Sequence, residues 1–353
     1  MIQDGYDMSP DDIRCDPVGS AGMLPSEYPR ELVIKKQART NPSYGCSPAE
    51  RPVRGYIERG VVNLDKPRGP TSHEVTAWVK DILELNRAGH SGSLDPGVTG
   101  VQPIMLGKAT KVVSALRLSG KEYICLMSLH EPASEKKVRN VCKEFSGPVF
   151  QMPPVISAVK RELRVRMVYY LEVLEVKDKS VLMRVGCEAG TYMRKLCHDI
   201  GAALGTGAHM QQLRRTKTGP FREDTLVTLQ ELKDAYVFWK EDGDECHIRR
   251  VVRPLEEGLA HLPRIIIRDS AVDAVCQGAS LAVPGIVSLD SNIKIGDEVC
   301  LLSLKGEAVS LSRSLMDTDE MLRSEHGLAA STERVIMVAG TYPQGWKSKA
   351  RKT

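Results

Sequence analysis

The stretch Ala88-Gly89-His90-Ser91-Gly92-Ser93-Leu94-Asp95-Pro96-Gly97-Val98-Thr99-Gly100 decides how this chain of 353 residues is interpreted. Asp, Pro and Gly each favour turns, so Asp95-Pro96-Gly97 taken alone predicts an ordinary turn. Pro96 disfavours helical geometry at the preceding residue, which places the carboxylate of Asp95 on a loop. Glycines at positions 89, 92, 97 and 100 allow a backbone to pass close to a ligand. The stretch therefore suits a pocket, but its residues alone do not name a reaction.

The sequence on either side predicts a mixed α/β fold, in which strands are interleaved with helices. Thr71 stands three residues before Glu74, the spacing of a capping box, and predicts the start of a helix. The apolar residues of this helix that we expect to face the core are Val75, Trp78, Val79 and Ile82. A second helix is predicted from Thr191, with Met193, Leu196, Cys197 and Ile200 on one face. The segment from Gly89 to Gly107 is too rich in glycine to predict regular structure.

Strand patterns occur at 61–64, 123–129, 171–176 and 181–187. After Leu262-Pro263 the chain changes to short strands and turns, at 264–267, 299–304, 308–311 and 335–338. That pattern predicts a small β-rich domain at the C-terminal end.

Composition excludes several classes of protein. No stretch approaches the roughly 20 consecutive apolar residues of a membrane span, and the first thirty residues lack the apolar core of a secretory signal. Nine cysteines are scattered without a Cys-x-x-Cys pair, which favours free thiols in a reducing compartment over zinc sites or disulfides. We therefore expect a cytoplasmic protein without a metal.

The net charge of +4 is only mildly basic, but the basic residues are clustered. The clusters are Lys160-Arg161 with Arg164 and Arg166, Arg214-Arg215 with Lys217, Arg249-Arg250 with Arg253, and the tail from Lys347 to Lys352. Each cluster alone is more often a solvated surface, whereas several in one chain favour a nucleic-acid partner.

The Asp95 stretch resembles the catalytic motif of the pseudouridine synthases that modify the T-loop of tRNA, and of their guide-RNA-dependent relatives, the dyskerin family. Further blocks follow in the family's order over about 300 residues: Asn63–Pro67, Thr71–Glu74, Lys121–Tyr123, Pro153–Lys160, Gly190–Arg194 and Leu213–Phe221. The resemblance implies an α/β (α+β) fold, with a mixed-sheet pseudouridine synthase catalytic domain and a small β-barrel-like PUA domain. It also implies isomerisation of uridine without a cofactor or metal.

The resemblance also assigns roles to residues. It makes Asp95 the catalytic carboxylate, Arg194 its ion-pair partner and Tyr123 the aromatic that stacks on the flipped uracil. His90 would take the place of the flipped base, and Lys66 would support the Asp95 loop at the substrate. Tyr192 and Leu213 match pocket positions, although core packing is an equal alternative for both. Contacts to RNA phosphates are expected from Lys160, Arg161, Arg164, Arg166, Arg214, Arg215 and Lys217.

Two features favour the guide-dependent branch. Stand-alone bacterial enzymes of the family carry a long insertion after the Ser-Ala-x-Lys block, whereas here Lys160 leads almost directly to the strand near Leu171. The C-terminal part resembles a PUA domain at Arg268–Val272, Val283-Pro284-Gly285 and Tyr342-Pro343. The absence of long lysine-rich tails favours an archaeal protein.

The expected domains are an N-terminal extension (1–50, partly disordered, its later part packing on the PUA domain), a catalytic domain (51–260), a PUA domain (262–346) and a basic tail (347–353). The expected partners are tRNA and rRNA substrates, an H/ACA guide RNA, and three small proteins: a zinc-ribbon-like protein, a glycine-arginine-rich-type protein and a kink-turn-binding protein.

Three other interpretations stay open at this point. The chain could modify only tRNA without a guide, or it could be an RNA-binding scaffold with a vestigial site. A nucleoside hydrolase would also use a carboxylate, but it would need neither the Tyr123 block nor a PUA-like domain. The sequence leaves open which uridines are modified, which guides are used and whether Asp95 attacks the base, attacks the ribose or removes a proton.

Overall fold

The computed structural model of the chain describes residues 22–152 and 162–344. The strands, in chain order, are β1 (Leu32–Ile34), β2 (Gly60–Lys66), β3 (Ala88–His90), β4 (Thr99–Leu106), β5 (Lys121–Leu129), β6 (Gly147–Gln151), β7 (Arg164–Lys177), β8 (Ser180–Cys187), β9 (Ala208–Thr218), β10 (Phe221–Arg222), β11 (Arg253–Pro254), β12 (Arg264–Ile267), β13 (Leu281–Ala282), β14 (Ile286–Asp290), β15 (Glu298–Leu302), β16 (Ala308–Ser314) and β17 (Leu328–Val335). The helices are α1 (Val53–Glu58), α2 (Ser72–Ile82), α3 (Val113–Leu118), α4 (Glu135–Glu144), α5 (Met193–Leu204), α6 (Leu229–Asp242), α7 (Glu245–Val251), α8 (Asp269–Cys276) and α9 (Thr318–Arg323).

The larger of two sheets has the strand order β11-β2-β4-β9-β5-β8-β7-β6, with β3 added to β4 and β10 to β9. Its neighbours are antiparallel except β4 and β9, which run parallel where Thr99 pairs with Arg214. The loop that precedes β4 therefore ends beside the middle of β9. On the other side of β9, Tyr123 of β5 is opposite Arg215. This topology brings the Asp95 loop, Tyr123 and the Leu213–Arg215 segment to one place.

Gly100 permits the close approach of β4 to β9. Its φ is +102°, and a Cβ at this position would lie 2.2 Å from the carbonyl oxygen of Arg215. Only glycine avoids both the strained backbone and this collision. A side chain at position 100 would push the Asp95 loop away from β9.

Helix α2 begins as predicted. The Thr71 hydroxyl accepts a hydrogen bond from the Glu74 amide, and the Glu74 carboxylate accepts from the Thr71 amide at 2.7 Å. Val75 and Val79 are fully buried, but the prediction that Trp78 faces the core is wrong, because its side chain is 44% exposed. Trp78 lies beside the buried stripe of the helix and not on it.

The core face predicted for α5 is confirmed, although the helix begins two residues after the predicted start at Thr191. The helix extends from Met193 to Leu204, and its four predicted core residues are buried: Met193, Leu196, Cys197 and Ile200. They pack on residues of β5 and β9, including Cys125 and Leu213. The first turn of α5 is thereby fixed against the strands that carry Tyr123 and Arg215.

The absence of regular structure predicted between Gly89 and Gly107 is wrong, because β3 and β4 lie there. Pro103 and the glycines lower strand propensity, but β4 is paired on both sides and its residues from 100 to 106 are buried. Strand β7 also begins at Arg164, well before 171, and β17 occupies 328–335, where 335–338 was predicted.

The smaller sheet has the order β1-β14-β12-β15-β16-β17-β13. Its first strand comes from the N-terminal segment, where Leu32 pairs with Asp290. The ring of Tyr44 packs against that of Tyr342, with centroids 6.5 Å apart. Tyr56, in contrast, is buried with the larger sheet and donates its hydroxyl to the carbonyl of Val252 at 2.8 Å.

An apolar cluster lies between the two sheets. It includes Val61 of β2 and Leu116 of α3 on the side of the larger sheet, and Leu311 and Ile336 on the side of the smaller sheet. The Lys111 ammonium also donates to the carbonyl of Val335 at 3.0 Å. Among the described residues, no helix is long and apolar enough to cross a bilayer. Within 22–152 and 162–344, no group of three or more His, Cys, Asp or Glu side chains could hold a metal ion.

Candidate active site

The carboxylate of Asp95 lies at the mouth of a cavity of about 570 Å³ between the β3–β4 loop, β5, β9 and the start of α5. The loop turns at Asp95, whose carbonyl accepts from the Val98 amide at 2.9 Å. Leu94, just before the acid, is buried, and its amide donates to the Ser72 hydroxyl at 2.8 Å. Buried neighbours therefore hold the loop on both sides of an exposed carboxylate.

Lys66 holds this loop in place through hydrogen bonds to backbone carbonyls. The residue is fully buried, and its ammonium donates to the carbonyls of Pro67 (3.0 Å), Pro96 (3.3 Å) and Val98 (2.9 Å). Burial lowers the pKa of Lys66 and the nearby Arg215 charge lowers it further, whereas Asp95 opposes the shift. With all three N–H groups directed to carbonyls, Lys66 fixes the loop and is not among the residues that line the cavity.

Arg194 is the ion-pair partner of Asp95. Its guanidinium lies 3.2 Å from the carboxylate, and both side chains are about half exposed, 56% and 54%. Arg194 is the second residue of α5, where the helix dipole disfavours a cation. The geometry fixes the orientation of the Asp95 carboxylate and leaves it open to the cavity.

Tyr123, Tyr192, Met210 and Leu213 contribute apolar surface to the same cavity. Burial raises the pKa of Tyr123, so its hydroxyl is protonated at neutral pH, although the neighbouring Arg215 charge opposes the shift. The aromatic faces suit stacking on a planar base.

Gln151 fixes the backbone of Tyr192 and was not predicted from the sequence. Its side chain is 2% exposed, accepts from the Tyr192 amide at 2.8 Å and donates to the Tyr192 carbonyl at 3.2 Å. Arg117 lines the cavity and was also missed. Neither residue stands in a motif that could have indicated it.

Models of known families cover most of the chain. The "TruB family pseudouridylate synthase (N terminal domain)" matches residues 80–193, and the "tRNA pseudouridylate synthase B C-terminal domain" matches 194–260. The "PUA domain" matches 263–336, and the "DKCLD (NUC011) domain" matches 24–76.

Relatives that match over nearly their whole length point to the same family. The "Probable tRNA pseudouridine synthase B" of Methanosarcina acetivorans is 66% identical and covers 94% of this chain and 98% of its own length. The protein of the same description in Methanocaldococcus jannaschii is 54% identical, and the match covers 90% of this chain and 95% of the relative. The chain belongs to the TruB family of pseudouridine synthases.

Solved structures support the same family assignment for this synthase. A chain in the "Structure of H/ACA RNP bound to a substrate RNA containing 2'-deoxyuridine" is 52% identical, with a TM-score of 0.86, and covers 92% of this chain and 100% of its own. A chain in the "Crystal Structure of a Cbf5-Nop10-Gar1 Complex" is 54% identical, with a TM-score of 0.87 and coverage of 91% and 98%. The predicted family, fold class and PUA domain are confirmed, and the synthase is an isomerase.

His90 lies beside the cavity of the synthase, not among its lining residues. Its Nδ1 accepts from the Gly92 amide at 3.3 Å, and its ring meets that of His73 edge-on, with centroids 4.9 Å apart. Burial lowers the pKa of His90, and the charges of His73 and Arg215 lower it further, which favours the neutral ring.

The structure does not support a phosphate contact for Arg215, because this residue is 1% exposed. Its neighbours in the basic cluster are already paired. Arg214 lies between Asp65 and Glu223, at 3.0 and 2.6 Å. Lys217 pairs with Glu27 at 2.9 Å and with Glu122 at 3.2 Å. Sequence clustering identified these charges, but it could not show that acidic groups neutralise them.

Two of the other four predicted phosphate contacts lie in the described part of the chain. Arg164 and Arg166 lie at the start of β7, and Arg166 pairs with Glu188 at 2.8 Å. Lys160 and Arg161 lie outside the described residues, as do the Pro153–Lys160 block and the basic tail.

Proposed function

We propose that this synthase converts specific uridines to pseudouridine in structured RNA, namely the T-loop uridine of tRNA and, through an H/ACA guide RNA, uridines of rRNA. Asp95 is the essential carboxylate, Arg194 orients it and Tyr123 stacks on the flipped base. The observation that carries the proposal is the Arg194–Asp95 ion pair at the mouth of a cavity lined by two tyrosines.

The cavity suits a flipped base. Its volume of about 570 Å³ falls within the range of roughly 300–1,000 Å³ of small-molecule sites. A base within a stack cannot reach Asp95, so the target uridine must leave the stack before reaction. Stacking on Tyr123, with Tyr192 and Leu213 as further walls, would offset part of that cost.

The remaining predicted residues act around this centre. Lys66 positions the Asp95 loop through three backbone carbonyls and does not contact the base. His90 occupies space beside the loop, in a position to fill the gap left by the flipped base. The candidates for contacts to RNA phosphates are Lys160, Arg161, Arg164 and Arg166.

Guide dependence is supported by two features of different kind. The chain lacks the insertion after Lys160 that stand-alone bacterial enzymes carry. Its fold is also similar over more than nine-tenths of the chain to proteins solved in an H/ACA ribonucleoprotein and in a complex with Nop10 and Gar1. We therefore assign the chain an H/ACA guide RNA and counterparts of Nop10 (zinc-ribbon-like) and Gar1 (glycine-arginine-rich-type). By family resemblance we add a kink-turn-binding protein and a cytoplasmic location.

Release of tritium from 5-tritiated uridine tests the proposal. The substrates are a tRNA transcript and an rRNA fragment, each with the synthase alone and with guide RNA and partner proteins. We expect turnover of the rRNA fragment only in the assembled complex. Turnover of the rRNA site without a guide would contradict guide dependence, and activity confined to tRNA in every arm would identify a stand-alone tRNA enzyme.

Asp95→Asn is the matched catalytic control. The substitution removes the negative charge but keeps the size of the side chain, so we expect no isomerisation and RNA affinity within a few-fold of the unaltered protein. Residual turnover by the purified variant would refute the role of Asp95. If the unaltered protein binds RNA tightly but releases no tritium in any arm, a non-catalytic scaffold is the better assignment.

A further inference from the structure

We propose that Arg215 stabilises the negative charge that the flipped uracil acquires during isomerisation, acting as a buried cation in the wall of the Asp95 cavity. This inference rests on the proposed function and adds an electrostatic residue that the sequence pattern placed on the RNA-binding surface.

Arg215 is a buried cation without an anionic partner. Its Nε donates to the carbonyl of Val101 at 2.6 Å, and its buried Nη2 has no hydrogen-bond acceptor among the described residues. Within 22–152 and 162–344, no ion pair joins Arg215 to a carboxylate, whereas the adjacent Arg214 contacts two. A buried charge is costly unless something compensates it, so this arrangement indicates an anion that is present only during the reaction.

The position of Arg215 fits such an anion. The residue lines the same cavity as Asp95, and in the sheet it pairs with Tyr123. The Arg215 charge also opposes the rise that burial causes in the pKa of Tyr123, so the two groups lie close to each other. A second unpaired polar group lies in this wall, since the buried hydroxyl of Ser91 has no partner in the described part of the chain. Two buried polar groups without a partner among the described residues therefore belong to residues that line the Asp95 cavity.

The other buried cations of this region are already satisfied. The Lys66 ammonium donates to three carbonyls, as described above, and that of Lys121 donates to the carbonyls of Leu116, Arg117 and Ser119. Burial, together with the nearby Arg215 charge, lowers the pKa of Lys121 to about 7. Of these three, Arg215 alone keeps an unpaired N–H, within the residues that the structure describes.

The chemistry requires a site for negative charge. When the N1–C1′ bond breaks, its electron pair stays on uracil and is shared with O2 and O4. After the base turns, a ring electron pair forms the C5–C1′ bond, C5 loses its proton and N1 gains one, so atoms and electrons balance. If Asp95 instead adds to C6, the ring becomes an enolate at O4. Charge reaches the base oxygens by either route and also when Asp95 attacks or deprotonates the ribose.

A fixed cation in a water-poor wall is effective at this step, because the protein need not reorganise as the charge develops. A structural role would be different. If Arg215 only held β4 to β9 through Val101, its removal would slow every substrate to the same degree. The two roles can be separated by changing the acidity of the base.

The test compares two tRNA transcripts that differ at the target base, uridine or 5-fluorouridine, under single-turnover conditions with the full-length protein in its active assembly. Fluorine withdraws electrons and stabilises the uracil anion without help from the protein. Loss of the N-linked nucleoside is followed by mass spectrometry after digestion, a readout that does not require release of a C5 proton.

For Arg215→Gln we expect the rate on uridine to fall by about 100-fold, with RNA affinity within about three-fold. On 5-fluorouridine the loss should be smaller by about ten-fold or more, because a more acidic base depends less on the cation. Arg215→Lys keeps the charge and should retain more activity than Arg215→Gln. If Arg215→Gln does not fold, the losses of rate on uridine and on 5-fluorouridine are compared for Arg215→Lys instead. Arg184→Gln removes an exposed cation paired with Glu172 on the same sheet and serves as the control.

Equal losses on the two bases, or an Arg215→Gln protein as fast as the unaltered one, would overturn the inference. Failure of the proposed function would look different. In that case the unaltered protein would be inactive on uridine, or Asp95→Asn would remain active, whatever occupies position 215.

Discussion

The guanidinium of Arg194 lies 3.2 Å from the carboxylate of Asp95, although Arg194 belongs to the first turn of α5 and Asp95 to the loop before β4. Both side chains are about half exposed, so solvent screens the pair and it contributes roughly 0–1 kcal/mol to folding. The placement of a cation at a helix start therefore indicates a role in orienting the acid more than one in stability.

Arg194→Ala should lower the turnover rate by about 10- to 100-fold, because a freely rotating carboxylate is misplaced relative to the sugar and base. We expect the free energy of unfolding to change by no more than about 1 kcal/mol and RNA affinity to change little. Single-turnover kinetics, chemical denaturation and filter binding measure the three quantities. A pure binding defect would contradict the assignment, and partial recovery by Arg194→Lys would support it.

Lys66→Met should impair both stability and activity. The substitution removes the donor that serves three backbone carbonyls at once, and the buried carbonyl of Val98, left unpaired, carries a desolvation penalty. We expect the free energy of unfolding to fall by about 2–4 kcal/mol and turnover to fall because the Asp95 loop is released. Urea denaturation and tritium release provide the measurements.

Lys80→Met is the matched control for Lys66, since Lys80 is a partly exposed lysine of α2 that forms an ion pair with its exposed neighbour Asp81. The free energy of unfolding of the Lys80→Met variant should stay within about 0.5 kcal/mol of that of the unaltered protein. Equal behaviour of the two variants would show that Lys66 does not hold the loop.

Periodicity and capping patterns were sufficient where local chemistry decides the structure. The capping box at Thr71 and the buried face of α5 follow from residues close in sequence, and both were predicted. The Asp95 loop was different, because its functional significance depends on Tyr123 and Arg194, which sheet pairing and helix packing bring to it. Its own residues predict only a turn.

The basic cluster at 214–217 shows a second limit. A sequence gives the sign and spacing of charges but not the groups that face them across a sheet. Arg214 and Lys217 contact carboxylates from other segments, and Arg215 lies in the interior. The same cluster could therefore have been an RNA-binding surface, an ion-pair network or a buried charge, and only the tertiary contacts distinguish these.

The cysteines offer a chemical test of the fold. Burial raises the pKa of Cys142 and of Cys187 to about 12, whereas Cys246 is exposed. At pH 8 a thiol with that pKa is ionised to only about one part in 10⁴. With a maleimide reagent at pH 8, Cys246 should react first in the native protein, and Cys142 and Cys187 should react only after unfolding.

Mass spectrometry of peptides locates the label, and the same reaction in guanidinium chloride gives the fully labelled reference. Labelling of Cys187 as fast as Cys246 in the native state would contradict the placement of β8 in the core. Cys15 lies outside the described residues, and its peptide is set aside.

Gln151→Leu tests how the start of α5 is held. Gln151 is buried and bonds both the amide and the carbonyl of Tyr192, the residue that precedes α5. Leu fills the same space but leaves both backbone groups unpaired, so we expect a shift of Tyr192 and Arg194 and a fall in turnover of about ten-fold or more. Gln151→Glu still accepts from the Tyr192 amide, but its carboxylate cannot donate to the carbonyl, so its turnover should lie between Gln151→Leu and the unaltered protein. Because the side-chain hydrogen bonds of Gln151 within the described residues go to the backbone of Tyr192, a defect as large as that of Asp95→Asn, or none in either variant, would refute this positioning role.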